Sequence, residues 1–219
     1  MNSANLITLT NPRSPASEAY RTLRTNLMFS SINEPLQTLV ATSAGPDEGK
    51  STTIANIAVI FAQGGKRTIL VDADLRRPSQ HMIWGIEQEP GLTTMLLEDM
   101  PEPPVCEVGV ENLWVLPSGP LAATPADVIG SSRMDAIIEH LKSMADVILF
   151  DTPPVVAVTD AALLASKVDG ALLVLRAGTT KRDYAEQAKE LLEHIHVRIV
   201  GVVLTNAQID KKMGAYYGA

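Results

Sequence analysis

The sequence predicts an α/β fold: a doubly wound, mostly parallel sheet with helices on both faces. Three observations lead there. From residue 38 onward, short β-branched runs alternate with helical patterns, the order of strand and crossover helix that builds parallel sheets. The runs Ile69-Leu70-Val71, Val147-Ile148-Leu149-Phe150 and Leu172-Leu173-Val174-Leu175 are apolar without alternation, as strands buried on both faces should be. Three apolar runs also end in residues suited to a phosphate or a cation, and open α/β sheets hold ligands beyond the carboxyl ends of their strands. Leu39-Val40-Ala41-Thr42-Ser43 leads into Gly45-Pro46-Asp47-Glu48-Gly49-Lys50-Ser51-Thr52, Ile69-Leu70-Val71 into Asp72-Ala73-Asp74, and the third run into Asp151-Thr152-Pro153-Pro154.

The elements follow in order. A helix is expected over about 15–33, because Ser14-Pro15 reads as a cap followed by proline at the first helical position. Strands are expected at 38–43, 67–73, 112–117, 146–151, 170–176 and 198–205. Helical patterns lie at 50–63, near 92–98, at 125–143 (opened by Thr124-Pro125), at 159–166 and at 181–195. The stretch Met100-Pro101-Glu102-Pro103-Pro104 reads as a surface connection, and 208–219, without periodicity, as a flexible tail. Residues 1–219 are expected to form one domain.

Composition narrows the function. Hydrophobic residues make up 46% and charged residues 20%, a globular balance. The net charge of −7 argues against a nucleic-acid binder, whose affinity rests on basic residues facing phosphates. The single cysteine, Cys106, excludes a disulfide framework and points to the cytoplasm. The N-terminus lacks the plan of a signal peptide, and no apolar stretch approaches the roughly 20 residues that span a bilayer. A membrane role is expected to come through a partner or a fused segment.

A strand that ends in a Gly-Lys-Ser turn and enters a helix is a nucleotide-phosphate cradle. The backbone N–H groups of Gly45, Asp47, Glu48 and Gly49 are expected to wrap the β-phosphate at the positive end of the helix. Lys50 would bridge the β- and γ-phosphates and the Ser51 hydroxyl would ligate Mg²⁺. Thr52 is placed for the α-phosphate or for plain capping. Ala44 stands where such loops begin with glycine, and Asp47 stands where many use another; Asp tolerates left-handed backbone, provided that its charge points away from the phosphates. Asp72 and Asp74 project to the same side of an extended segment, where they can hold a cation and accept a proton. Asp151 would bind Mg²⁺ through a water. Arg76 could neutralise a transferring phosphoryl group or pair with an acid. ATP and Mg²⁺ are the ligands this pattern asks for.

These motifs, with Asp-x-Asp-x-Arg spelled Asp72-Ala73-Asp74-Leu75-Arg76, resemble the cytoplasmic domain of bacterial tyrosine kinases, which carry Walker A, A-prime and B motifs and govern capsule and exopolysaccharide export. The resemblance runs from about Ser14 to the C-terminal tyrosines. It implies a P-loop NTPase fold and an autokinase in which Asp72 activates the tyrosine hydroxyl while Asp74 and Asp151 support the metal. It also gives meaning to Glu18, Arg21 and Arg24, which on their own read as a solvated flank beside a face of Ala19, Tyr20, Leu23 and Leu27. Glu-x-x-Arg-x-x-Arg is the family's subunit-contact motif and implies a homo-oligomeric ring. Tyr216 and Tyr217 become phospho-acceptors reached by a neighbour's site, in place of incidental aromatics. A transmembrane activator, or a fused membrane segment, and protein tyrosine substrates are the partners implied.

The four histidines share no spacing with Cys106 or the acids that would make a zinc site, and Trp84 and Trp114 read as packing. Asn206 could read the adenine edge, though it suits a turn as well. The rival activities are a partition or septum-positioning ATPase switch, whose extra lysine early in the loop is missing from Ser43-Ala44-Gly45, and a scaffold that binds ATP only to assemble.

Overall fold

A computed structural model of the chain describes residues 4–30, 36–98 and 100–207. Its strands are β1 (Thr38–Ser43), β2 (Thr68–Asp72), β3 (Cys106–Glu107), β4 (Leu113–Leu116), β5 (Val147–Asp151), β6 (Gly170–Arg176) and β7 (Ile199–Thr205). The helices are α1 (Ile7–Thr10), α2 (Pro15–Ser30), α3 (Lys50–Gln63), α4 (Gln80–Trp84), α5 (Leu92–Leu97), α6 (Pro125–Gly130), α7 (Ser132–Met144), α8 (Asp160–Ala165) and α9 (Arg182–His194). The strands make one sheet in the order β3-β4-β2-β5-β1-β6-β7, and only the short β3 runs antiparallel to its neighbour.

Both faces of the central strands β1, β2, β5 and β6 are covered, which is why they read as unbroken apolar runs, whereas Val202 and Leu204 of the edge strand β7 are exposed. Period two still sorts them. Leu39, Ala41, Leu70 and Leu149 face a layer built by α1 to α4, whereas Val40, Val71, Ile148 and Phe150 face α5 to α9. Each such fully buried side chain contributes about 1.5–3 kcal/mol relative to exposure. Helix α3 lies between the sheet and α1–α2, so it is buried on almost every side, from Thr53 to Ala62. Asn56 within it accepts from the Thr8 backbone N–H at 3.1 Å and hydroxyl at 2.8 Å, which fastens the N-terminal segment to the helix that begins with Lys50. At the sheet's other end, Asp169 accepts from the N–H groups of Gln37 and Thr38 at 2.9 and 2.8 Å and sets β1 against β6.

Some expectations need correction. The helix expected over 125–143 is two helices, broken at Ser131, where the backbone is extended (φ −68°, ψ 157°) and the hydroxyl donates to Val128 O at 2.7 Å. Glycine followed by serine is a weak helix sequence, and the serine hydroxyl offers the last carbonyls a partner. On α2, Leu27 is buried and Tyr20 and Leu23 pack beneath it as expected, but Ala19 is exposed. Ser17 is buried instead and donates to Asn11 O at 2.8 Å, while Ser14 accepts from the Ser17 N–H at 3.1 Å as the cap. The elements α1, α4 and β3 were not anticipated; at four, five and two residues they are too short for a period to show. Residues 31–33 of the expected first helix, and the tail 208–219 with Tyr216 and Tyr217, lie outside the described residues.

Candidate active site

Strand β1 lies between β5 and β6, and at its carboxyl end the chain turns over residues 44–49 into α3. The turn needs left-handed backbone at Asp47 (φ 58°) and Gly49 (φ 83°). Glycine adopts that freely and Asp better than most residues. Asp47 is exposed, as its charge requires. Ala44 suffices at the loop's first position because the left-handed backbone falls at Asp47 and Gly49 instead, and its N–H donates to Glu48 Oε2 at 2.9 Å. The Glu48 carboxylate therefore braces the loop, also accepting from the Thr180 hydroxyl, and leaves only its backbone for a phosphate. Two more contacts hold the turn from the ends of β7 and β6: Thr205 Oγ1 donates to Glu48 O at 2.7 Å and Arg176 Nη1 to Asp47 O at 3.0 Å.

The lysine and the three aspartates converge where the turn meets β2 and β5. Asp72 and Asp151 are register partners on adjacent parallel strands, so their carboxylates lie side by side, both fully buried. Lys50 Nζ bonds Asp151 Oδ1, donates to Ser51 Oγ at 3.1 Å and lies 3.7 Å from Asp74 Oδ2. Asp72 Oδ2 accepts the backbone N–H groups of Ser79 and Gln80 at 2.9 and 2.8 Å. Burial, and next the neighbouring Asp151 charge, push the Asp72 carboxyl up to about 8, against the opposing pull of those amides and Lys50. Burial also raises Asp74, with Lys50 the chief opposing influence.

A cleft of about 530 Å³ opens above this group, in the range of small-molecule sites. Residues of the turn, Lys50, Ser51, Thr52, Asp74, Arg77, Ser79 and Arg176 line it. Of the three clustered aspartates, Asp74 alone lines the cleft, with Asp72 and Asp151 fully buried. Arg76 turns away and forms a two-point ion pair with the buried Asp160, at 2.7 and 3.0 Å, so it pairs with an acid. Arg77 is exposed at the cleft instead. Sequence reading missed Asp160, Arg77 and Gln80. Gln80 Nε2 donates to Asp151 Oδ2 at 2.7 Å, a partner 71 positions away that no local pattern could signal.

The site fits a magnesium nucleotide. Its three buried carboxylates outnumber the one lysine among them, so the pocket has room for a further cation, and Ser79 Oγ is buried beside the cleft without a partner among the described residues. No group of three His, Cys, Asp or Glu side chains among those residues could hold a metal alone. That suits Mg²⁺, which keeps several waters and takes one or two carboxylates plus substrate phosphates.

Away from the cleft, Glu18 pairs with Arg21 one turn along α2, and Arg21 Nη2 also donates to Pro12 O at 2.7 Å. Arg24 Nη1 donates to Ile60 O at 3.1 Å near the end of α3. Asn206 is an exposed left-handed residue (φ 54°) beyond β7 and does not line the cleft. No described helix is long and apolar enough to cross a membrane.

A family model described as ParA, the NUBPL iron-transfer P-loop NTPase, matches residues 37–209. Tyrosine-protein kinase YwqD of Bacillus subtilis is 40% identical over 216 residues, covering 98% of this chain and 91% of that protein. The kinase domain of the Escherichia coli tyrosine kinase ETK superposes with a TM-score of 0.91 at 29% identity, over 96% of this chain and 83% of that one. The septum site-determining protein MinD of Pyrococcus horikoshii, complexed with Mg-ADP, gives a TM-score of 0.66 at 20% identity, over 83% and 77% of the two chains, a likeness of fold alone.

Proposed function

The chain belongs to the ParA-type P-loop NTPases and to the bacterial tyrosine-protein kinases, and from that premise we propose that it transfers the γ-phosphoryl group of ATP to tyrosine hydroxyls on a neighbouring copy of itself. The observation that carries this reading is the convergence of Lys50, Asp72, Asp74 and Asp151 at the mouth of the 44–49 turn.

Phosphoryl transfer asks a protein mainly for positioning and charge stabilisation. The N–H groups of the turn and the N-terminus of α3 bind the β-phosphate, Lys50 leaves Asp151 to reach the β- and γ-oxygens, and Arg77 lies at the cleft to meet charge on the moving phosphoryl group. Ser51 and Asp151 would hold Mg²⁺, with Asp72 beside them. When bound, that ion neutralises phosphate charge. The tyrosine oxygen attacks the γ-phosphorus, the bond to the β–γ bridging oxygen breaks, and ADP departs. The tyrosine proton needs a carboxylate within hydrogen-bond reach, and geometry takes precedence over pKa in choosing it. The resemblance points to Asp72, but Asp72 is 0% exposed with Oδ2 on two amides, whereas Asp74 lines the cleft. We assign the proton to Asp74 and give Asp72 the part of orienting the loop to Ser79.

Glu18, Arg21 and Arg24 are the proposed subunit contacts of a ring, Tyr216 and Tyr217 the acceptors, and capsule or exopolysaccharide synthesis the process served, with a membrane activator as partner. The family model's description names iron transfer; an iron–sulfur cargo would need several thiolates, and the chain has one cysteine. Incubation with γ-labelled ATP and Mg²⁺ tests the reading. Label on tyrosine is the expected result; release of free phosphate without it would mark a switch ATPase, and neither product a scaffold. D74N should abolish labelling while D72N retains part of it, and the reverse order would return the proton to Asp72.

A further inference from the structure

Gln80 belongs to none of the motifs that the proposed chemistry uses, yet it is 0% exposed and its polar atoms are engaged on every side. Its Nε2 donates to Asp151 Oδ2 at 2.7 Å and to Ser51 O at 3.1 Å, its Oε1 accepts from Trp84 Nε1 at 3.1 Å, and its backbone N–H donates to Asp72 Oδ2 at 2.8 Å. An indole N–H can only donate, so the atom it meets must be the amide oxygen. Trp84 thereby points the amide nitrogen at Asp151 and Ser51. Asp151 is held from two sides, Oδ1 by Lys50 and Oδ2 by Gln80. Lys50 has another destination once a triphosphate arrives; Gln80, buried and pinned, has none.

We propose that Gln80 is a positioning residue that keeps the Asp151 carboxylate aimed at a divalent cation after Lys50 has left it, with Trp84 setting the direction of the Gln80 amide. The inference rests on the ATP–Mg²⁺ reading of the site. A neutral amide suits the task because it supplies two donors without adding charge to a pocket that already holds three carboxylates. Outer donors of this kind typically alter metal affinity about 10–100-fold.

The test is equilibrium binding of a fluorescent ADP analogue to the full chain, titrated with Mg²⁺ and repeated in EDTA. In Q80L the Mg²⁺ concentration giving half of the affinity gain should rise about 10–100-fold, with affinity in EDTA within about twofold of wild type. W84F, which keeps every atom of Gln80, should show a smaller rise of the same kind and add nothing in the Q80L background, since it acts through that side chain. W84F also carries the test should Q80L fail to fold. An unchanged Mg²⁺ response in both variants, or an equal loss with and without Mg²⁺, would overturn the role of Gln80 while leaving the nucleotide site in place. A wild-type protein whose ADP affinity ignores Mg²⁺ would overturn the site reading and the Gln80 role together.

Discussion

The carboxyl edge of the sheet and the outer surface of α2 both carry charged motifs, and they hold their charges in opposite ways. At the sheet edge, Lys50, Asp72 and Asp151 are almost wholly buried: Asp151 is held by Lys50 and Gln80 from 101 and 71 positions away, and Asp72 by the backbone amides of Ser79 and Gln80. On α2, Glu18 and Arg21 pair with each other one turn apart, with side chains 40% and 33% exposed. A buried charge cluster is costly to assemble and is retained where it acts on a ligand. An exposed pair of neighbours is worth a few tenths of a kcal/mol and is free to exchange partners. The first arrangement suits chemistry, the second suits contact with another copy.

The largest expected effect lies at the first region. K50M should abolish tyrosine labelling and lower the stability of metal-free protein by about 3 kcal/mol, because it leaves Asp151 and Asp74 without their cation. Urea unfolding beside the labelling assay checks both; undiminished labelling would remove the site. The same crowding gives a pH dependence. Folded Asp72 keeps its proton to about pH 8, whereas the unfolded chain releases it near the ordinary value of 3.8. The folded state therefore binds more protons between those limits, so this group's contribution is fully present below about pH 4 and is lost as pH rises toward 8. Wild-type minus D72N stability, measured by urea unfolding in EDTA, should fall across that window; a flat difference would show Asp72 ionised throughout. Next come two adjacent arginines. R77A should slow labelling about 100-fold with unchanged stability, as a charge-stabilising group in the cleft would. R76A should cost about 2 kcal/mol, less than a fully buried pair, because Arg76 is partly exposed while Asp160 is not. If the two phenotypes exchange, Arg76 is the residue that reaches the phosphates.

How much of this was legible in the sequence depends on distance along the chain. Strands β1 and β6 match their expected limits of 38–43 and 170–176, because a short apolar run bounded by turn residues declares itself locally. Asp72, Asp74 and Asp151 were legible because they end or closely follow such runs, and Lys50 because a Gly-Lys-Ser turn between a strand and a helix is itself a local pattern. What braces them was not. Arg76 meets Asp160 from 84 positions away, Thr180 meets Glu48 from 132 and Thr205 meets Glu48 from 157. Only the strand order brings those residues to one edge. Asp160 shows only as the start of a helix, and Glu48 reads as a phosphate-loop residue until its carboxylate is seen bonded to Ala44. The α2 motif stands between these cases, since its spacing is visible but its partners are not a matter of spacing.

The smallest expected effect concerns that helix. Arg24 differs from Glu18 and Arg21 in reaching across to α3, where Nη1 bonds the Ile60 carbonyl while Nε is buried without a partner among the described residues. One hydrogen bond of this kind is worth about 1 kcal/mol, so R24A should lower the unfolding free energy by about that much, and R21A by no more than about 0.5 kcal/mol. Neither loss can unfold the domain, so any change in assembly reports on contacts between copies. R21A combined with R24A should sediment as a monomer with its fold retained. If the double variant assembles as wild type does, Arg24 serves only to tie α2 to the end of the helix that begins with Lys50, and the contrast between the two regions reduces to one of burial.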